Sequence, residues 1–192
     1  MTLEIALYGN PVLRQKGEHI ESVTDEIRQL ARDMLETMCE EHGVGLAAQQ
    51  VGRALLLTVV DVRESELPST MELEGKPIDV NQAMPLSLIN PIIKNSSGEQ
   101  VETEGCLSIP DVSADIVRAA TVEVDAQTLD GKSLRFRCGG LLARAIQHEI
   151  DHLNGILFID RMDAASRAAF SGQLKRLQKE TRAALAAHGR RK

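Results

Sequence analysis

Apolar residues recur at three- and four-residue spacing through Ile27, Leu30, Ala31, Met34, Leu35 and Met38, which predicts a helix with one buried stripe. Thr24 stands where its hydroxyl can cap that helix. Asp25 and Glu26 fill the first turn, where the helix dipole favours anions, and Gly43 stops it. Upstream, Pro11 and Gly17 punctuate an irregular lead-in in which Leu3, Ile5 and Leu7 alternate like a short edge strand. Downstream, Leu55 to Val62 (LLLTVVDV) is β-prone with only Thr58 and Asp61 polar, and it reads as a buried strand. Residues 63–85 are rich in Glu, are broken by Pro68, Gly75, Pro77 and Pro85, and show no clear period. A surface loop or insertion is expected there.

Further strands are expected at Leu86–Ile93, Glu99–Glu104, Ile116–Leu129 and Ser133–Cys138, with Asp130-Gly131 turning the chain between the last two. After Gly139-Gly140, residues Leu141 to Leu153 are apolar around most of a helix circumference, so that helix should be central, with Gly155 ending it. Ala164 to His188 forms a long polar-faced helix whose apolar side holds Ala, Leu and Phe170, and 164–192 is a C-terminal helix and tail. The expected fold is α+β, a single domain over 1–192: mostly antiparallel strands around one buried central helix, with helices near both ends.

Composition narrows the functional classes. With 43% hydrophobic and 26% charged residues the chain of 192 residues is globular rather than disordered. Aromatics are 2% with no Trp, so the core is aliphatic and the stacking platforms of single-strand binders are missing. A net charge of -6 offers no general attraction to phosphate backbones or anionic lipid. Neither a membrane nor sequence-specific nucleic acid is expected as a partner. No apolar run nears the roughly 20 residues of a membrane span. The first residues also lack a signal-peptide layout. Three cysteines suggest a reducing, cytoplasmic setting rather than a disulfide framework, with Cys39 packed in the first helix and Cys138 in a strand.

The chemistry concentrates on the central helix, in His148-Glu149-Ile150-Asp151-His152. Residues i and i+4 lie about 40° apart on a helix, so both imidazoles can reach one cation, while Glu149 is offset by about 100° and can act on water beside it. Polar groups on so apolar a helix cost several kcal/mol unless paired or metal-bound. A catalytic site needs a third ligand. Downstream, Glu180 or His188 could serve, as in zinc proteases; upstream, Cys106 ends a strand in Glu104-Gly105-Cys106-Leu107-Ser108. Spacing alone leaves these open. A third stretch, Gly43-Val44-Gly45-Leu46-Ala47-Ala48-Gln49-Gln50, permits close backbone approach and ends in two amides.

Together, and in this order, the three stretches resemble the motifs of the peptide deformylases: Gly43–Gln50, Glu104–Ser108 and Gln147–Gly155 (QHEIDHLNG), with Asn10-Pro11-Val12-Leu13-Arg14 as the opening. The resemblance covers nearly the whole chain. It implies a hydrolase that removes the formyl group from the N-terminal formylmethionine of new polypeptides. It also implies that family's fold and one divalent ion, typically Fe²⁺, with Zn²⁺ or Ni²⁺ able to substitute. By the same resemblance, Cys106, His148 and His152 are the metal ligands and Glu149 the acid/base. Gln50 and the Leu107 backbone N–H donate to the developing oxyanion. Val44, Gly45, Gly105, Leu141, Arg144 and Ala145 bind substrate, and Glu104 and Arg118 orient a ligand histidine. Relatives often carry Arg or Tyr near Ser113, which is short and neutral here. Two expectations concern the periphery: residues 63–85 are a lid or a neutral insertion, and the basic side of the last helix (Lys175, Arg176, Lys179, Arg182, Arg190, Arg191, Lys192) is a solvated face or a ribosome contact.

Overall fold

The computed structural model describes residues 1–189; Arg190, Arg191 and Lys192 of the basic tail lie outside the described residues. The chain forms α1 (Asp25–Glu40), β1 (Gly45–Ala47), β2 (Leu57–Val60), β3 (Ser69–Leu73), β4 (Lys76–Ile78) and the short α2 (Val80–Ala83). It continues through β5 (Leu86–Ser97), β6 (Gln100–Cys106), β7 (Ile109–Arg118), β8 (Thr121–Gln127) and β9 (Ser133–Gly139) to α3 (Gly140–Leu153) and α4 (Ala164–Gly189). Seven strands make one sheet in the order β1-β2-β5-β8-β9-β3-β4, and β6 and β7 form a separate two-stranded hairpin. All the pairings between these strands are antiparallel. The expected α+β architecture with an antiparallel sheet and a C-terminal helix is what the chain adopts.

α3 packs on the sheet. Leu142, Ala143, Ala145 and Ile146 meet Val60, Leu88, Val122, Val124 and Phe136 in one aliphatic cluster. A second cluster sets α1, through Leu30, Ala31, Met34 and Met38, against Leu46, Leu57, Val59 and Ile89. The third joins the hairpin to α4 through Ile109, Val112, Ile116, Phe158 and Leu174. α3 therefore lies between the sheet and the hairpin, so what it carries faces both. Thr24 caps α1 by accepting from the Ile27 N–H, with Asp25 and Glu26 in its first turn.

Four expectations are corrected. Leu3, Ile5 and Leu7 form no strand; Leu3 N–H donates to Thr37 Oγ1, Ala6 N–H to the Gln50 carbonyl and Tyr8 N–H to the Ser108 carbonyl. That lead-in thus laces α1 to both motif loops. Residues 63–85 are more than a surface loop: β3 and β4 turn at Glu74 and Gly75, both at positive φ (50° and 74°), and β3 pairs with β9. Two such residues make the primed turn that suits a hairpin's twist, and Met71 is buried in the main core. The continuous strand expected over Ile116–Leu129 is two strands in different sheets. At the break, the Gln147 side chain on α3 accepts from Ala119 N–H and donates to its carbonyl, taking the place of a neighbouring strand. Cys39, expected to pack within the first helix, is exposed, whereas Cys138 is buried in β9.

Candidate functional site

The three polar stretches meet in a cleft of about 820 Å³ between β1, the hairpin and α3. Val44, Gly45, Gln50, Glu104, Gly105, Cys106, Leu107, Ser113, Leu141, Arg144, Ala145, His148 and Glu149 all line it. His152 and Arg118 stand behind that wall, each almost fully buried. Among the described residues, none of 63–85 lines the cleft.

One turn of α3 stacks the two histidines, whose ring centres are 5.0 Å apart and edge to face. The hairpin brings Cys106 beside them, with its Sγ 3.3 Å from His152 Nε2. Ligating atoms of Cys106, His148 and His152 all fall within 4.8 Å of one another, the only group of three or more such side chains among the described residues. Glu180 and His188, the downstream candidates, are exposed on α4. One thiol and two imidazoles are a donor set for a borderline-soft divalent ion. His148 turns its Nδ1 to Glu104 Oε2 at 2.9 Å, which leaves Nε2 for the cation. The donors present therefore fit a single divalent metal.

Gln50 sits in the short 3₁₀ turn Ala48–Val51. Its Oε1 accepts the Ala47 N–H at 2.8 Å, so its amide NH₂ points to Cys106 Sγ, 3.5 Å away. The neighbouring Gln49 is turned the other way, donating to the Leu153 carbonyl, and anchors the end of α3. Glu149 is buried, and its Oε2 has no hydrogen-bond partner. Burial pushes its carboxyl up to about 7, against the pull of His148. Gly45 is packed against this carboxylate: a Cβ at residue 45 would lie 2.5 Å from Glu149 Oε1.

A buried ionic chain runs behind the ligands. Glu104 receives Arg118 Nε at 2.8 Å and Nη2 at 2.9 Å, and Arg144 Nη1 at 2.6 Å. Burial alone would raise the Glu104 carboxyl, but hydrogen bonds from Arg118 and His148 hold it well below the usual carboxylate range. His148 is disfavoured as a cation by burial, yet Cys106 and Glu104 push it up to about 10. His152 moves the opposite way, lowered by burial and by the His148 charge.

Arg144 lines the cleft, and its guanidinium is held by hydrogen bonds. Besides Glu104 it donates to the carbonyls of Gln100 and Ile116, at 3.1 and 3.0 Å, and so ties both hairpin strands to α3. Asp151 and Arg161 also belong to this chain, and the sequence reading passed over them. The signal available was Asp151 itself, a charge on an apolar helix that had to have a partner.

A sequence model of the polypeptide deformylase family matches residues 2–168. The chain belongs to this family. A peptide deformylase of Opitutus terrae is 47% identical over 186 residues, 96% of this chain and 97% of that one. One from Methylacidiphilum infernorum is 45% identical over 179 residues, 93% of this chain and 94% of that one. Among solved structures, the Thermus thermophilus peptide deformylase superposes with a TM-score of 0.79 at 37% identity, covering 94% of this chain and 99% of that one. A Synechococcus elongatus peptide deformylase, solved in complex with actinonin, gives 0.77 at 40% identity over 89% and 87%. Deformylases are metal-dependent hydrolases of the N-formyl amide that begins new polypeptides, and this chain is one of them. No described helix is long and apolar enough to cross a membrane.

Proposed function

We propose that this deformylase acts through Cys106, His148 and His152 as metal ligands, Glu149 as acid/base, and Gln50 with the Leu107 N–H as oxyanion donors. The observation that carries the reading is the convergence of the three ligating side chains, Cys106 and His148 in the wall of a cleft that also holds Glu149 and Gln50, and His152 directly behind it. A divalent cation there supplies a lowered water pKa and a polarised formyl oxygen. Glu149 takes the proton from the attacking water and returns it to the leaving amine, which its otherwise unpartnered Oε2 leaves it able to do. Charge gathers on the former carbonyl oxygen, where the Gln50 NH₂ and Leu107 N–H donate to it. Val44, Gly45, Gly105, Leu141, Ala145 and the Arg144 stem form the walls that hold the formylmethionine, while Glu104 and Arg118 orient His148. Selectivity for formyl over the larger acetyl group would rest on the shape of these walls.

The ion is proposed as Fe²⁺, replaceable by Zn²⁺ or Ni²⁺; an oxidisable thiolate ligand makes the ferrous form oxygen-sensitive. The setting is cytoplasmic, where formylated chains emerge from ribosomes. Lys175, Arg176, Lys179 and Arg182 are polar and largely exposed along α4, and they support a ribosome contact that salt-dependent co-sedimentation would test.

The deciding experiment is anaerobic purification, elemental analysis, and turnover of formyl-Met against acetyl-Met peptides. One metal per chain and turnover of the formyl peptide alone is expected. The Glu149→Ala variant keeps the metal and loses turnover, and Cys106→Ala loses metal. Full occupancy in Cys106→Ala, or near-normal turnover in Glu149→Ala, refutes the corresponding role.

A further inference from the structure

The turn after α3 reaches back to the site at two points. Phe158 stacks on His148 with ring centres 6.1 Å apart and planes inclined by 26°. Three residues later, Arg161 clamps Asp151: Nε donates to Oδ2 at 2.5 Å and Nη2 to Oδ1 at 2.6 Å. Arg118 Nη1 shares Oδ2 at 2.5 Å, and its other nitrogens hold Glu104, which accepts from His148. The side chains inward of Arg161 are nearly closed to solvent: Asp151 is 9% exposed, Glu104 5% and Arg118 2%, against 43% for Arg161 itself.

We propose that Arg161 is a positioning residue for the metal centre, acting through Asp151, Arg118 and Glu104 on the orientation of His148. This rests on the reading of Cys106, His148 and His152 as ligands.

Arg118 sits between two buried carboxylates and must divide its donors between them. The fork of Arg161 supplies Asp151 with two charge-assisted bonds, which frees two Arg118 nitrogens for Glu104. Without Arg161, Oδ1 of Asp151 loses the donor it has, and that under-paired buried carboxylate draws Arg118 toward itself. Glu104 then holds Arg118 less firmly and the His148 ring is freer to turn. Asp151 is on α3, between the two histidines in sequence, and its bond to Arg118 at the end of β7 ties that helix to the hairpin. Carboxylates bonded to metal-ligating histidines are typically worth 10–100-fold in metal affinity, and a residue two steps further out sits at the lower end of that range.

The test compares Arg161→Ala, Arg161→Lys and the exposed control Arg135→Ala in the full chain. Zn²⁺ affinity is measured by chelator competition, and the Co²⁺-loaded protein gives its ligand-field spectrum. Arg161→Ala is expected to weaken Zn²⁺ binding by about 10-fold and shift the Co²⁺ bands, with kcat lowered and KM for a formyl-Met peptide unchanged. Arg161→Lys keeps the charge but not the fork and restores only part of the affinity; Arg135→Ala changes nothing. Unchanged affinity and spectrum in Arg161→Ala overturns the inference, even if that variant melts at a lower temperature. A wild-type chain that fails to bind one metal instead overturns the ligand reading on which the inference stands.

Discussion

Gly45 offers the sharpest test of how closely the acid/base is held. In Gly45→Ala the added Cβ falls 2.5 Å from Glu149 Oε1 and 2.9 Å from its Cγ and Cδ, where ordinary contact begins at 3.4 Å. The carboxylate oxygen must therefore retreat by about 0.9 Å, the difference between those two distances. β1 cannot yield instead, because Gly45, Leu46 and Ala47 are pinned in register to Val60, Val59 and Thr58. A misplacement of about 1 Å at a reacting group costs on the order of 10²-fold in rate, equivalent to about 2.7 kcal/mol. Folding stability moves little. Removing glycine's unfolded-state freedom gains about 0.4–1 kcal/mol, and a strained Glu149 rotamer costs about 0.5–1.5 kcal/mol. The expected result is a folded, metal-loaded protein with kcat on a formyl-Met peptide down by about 10²-fold and Tm near that of wild type. A variant with full metal and kcat within threefold of wild type would refute the reasoning. So would loss of the metal, since the added methyl is aimed at Glu149 and not at a ligand.

Gln50→Glu keeps the oxygen that accepts Ala47 N–H but replaces the donating NH₂, so kcat should fall by about 10²–10³; a drop below fivefold removes Gln50 from the donor role. Met71→Ala in β3 should cost about 2–5 kcal/mol by urea unfolding, since Met71 is 2% exposed, and leave kcat at 25 °C intact. A cost under 1 kcal/mol would make the β3–β4 hairpin a dispensable attachment. For Asp160, burial raises the carboxyl, but the Arg14 hydrogen bond, the Leu157 N–H and the Arg14 charge together hold it below its ordinary value. A depressed folded-state pKa gives stability that is present above the unfolded value of about 3.9 and is lost as pH falls through the folded one. The Tm gap between wild type and Asp160→Asn is thus widest near neutral pH and closes below about pH 4; a gap that widens with acid contradicts the sign.

The chemistry was more legible than the framework. His148, Glu149 and His152 are local to one helix turn, and their spacing is fixed by helix geometry, so the sequence displays them directly. Cys106 and Gln50 are 42 and 98 residues from His148, and no local period brings them there; only the joint order of three motifs did so. Three of the four framework errors share a cause, since each of those turned on a partner distant in sequence. Gln147 splits what looked like one strand, and β9 recruits a segment that looked like loop. Arg144 was placed at the substrate wall on family likeness, and only the fold shows that its guanidinium also serves Glu104 and the hairpin carbonyls.

The two bonds from Gln147 to Ala119 also bear on when the site can exist. They fix where the chain returns from the β6–β7 hairpin to the large sheet, yet their donor and acceptor lie on a helix 28 residues later. Gly45 and Glu149, in contact across the cleft, are 104 positions apart. Contacts of such separation form late, after the entropy of closing long loops has been met. During its own synthesis, then, this protein has no cleft until the chain through Leu153 has emerged. Its sheet can assemble earlier, and the hairpin that carries Cys106 can meet the N-terminal lead-in through Tyr8 and Leu13, but Cys106 has no histidine beside it until α3 arrives.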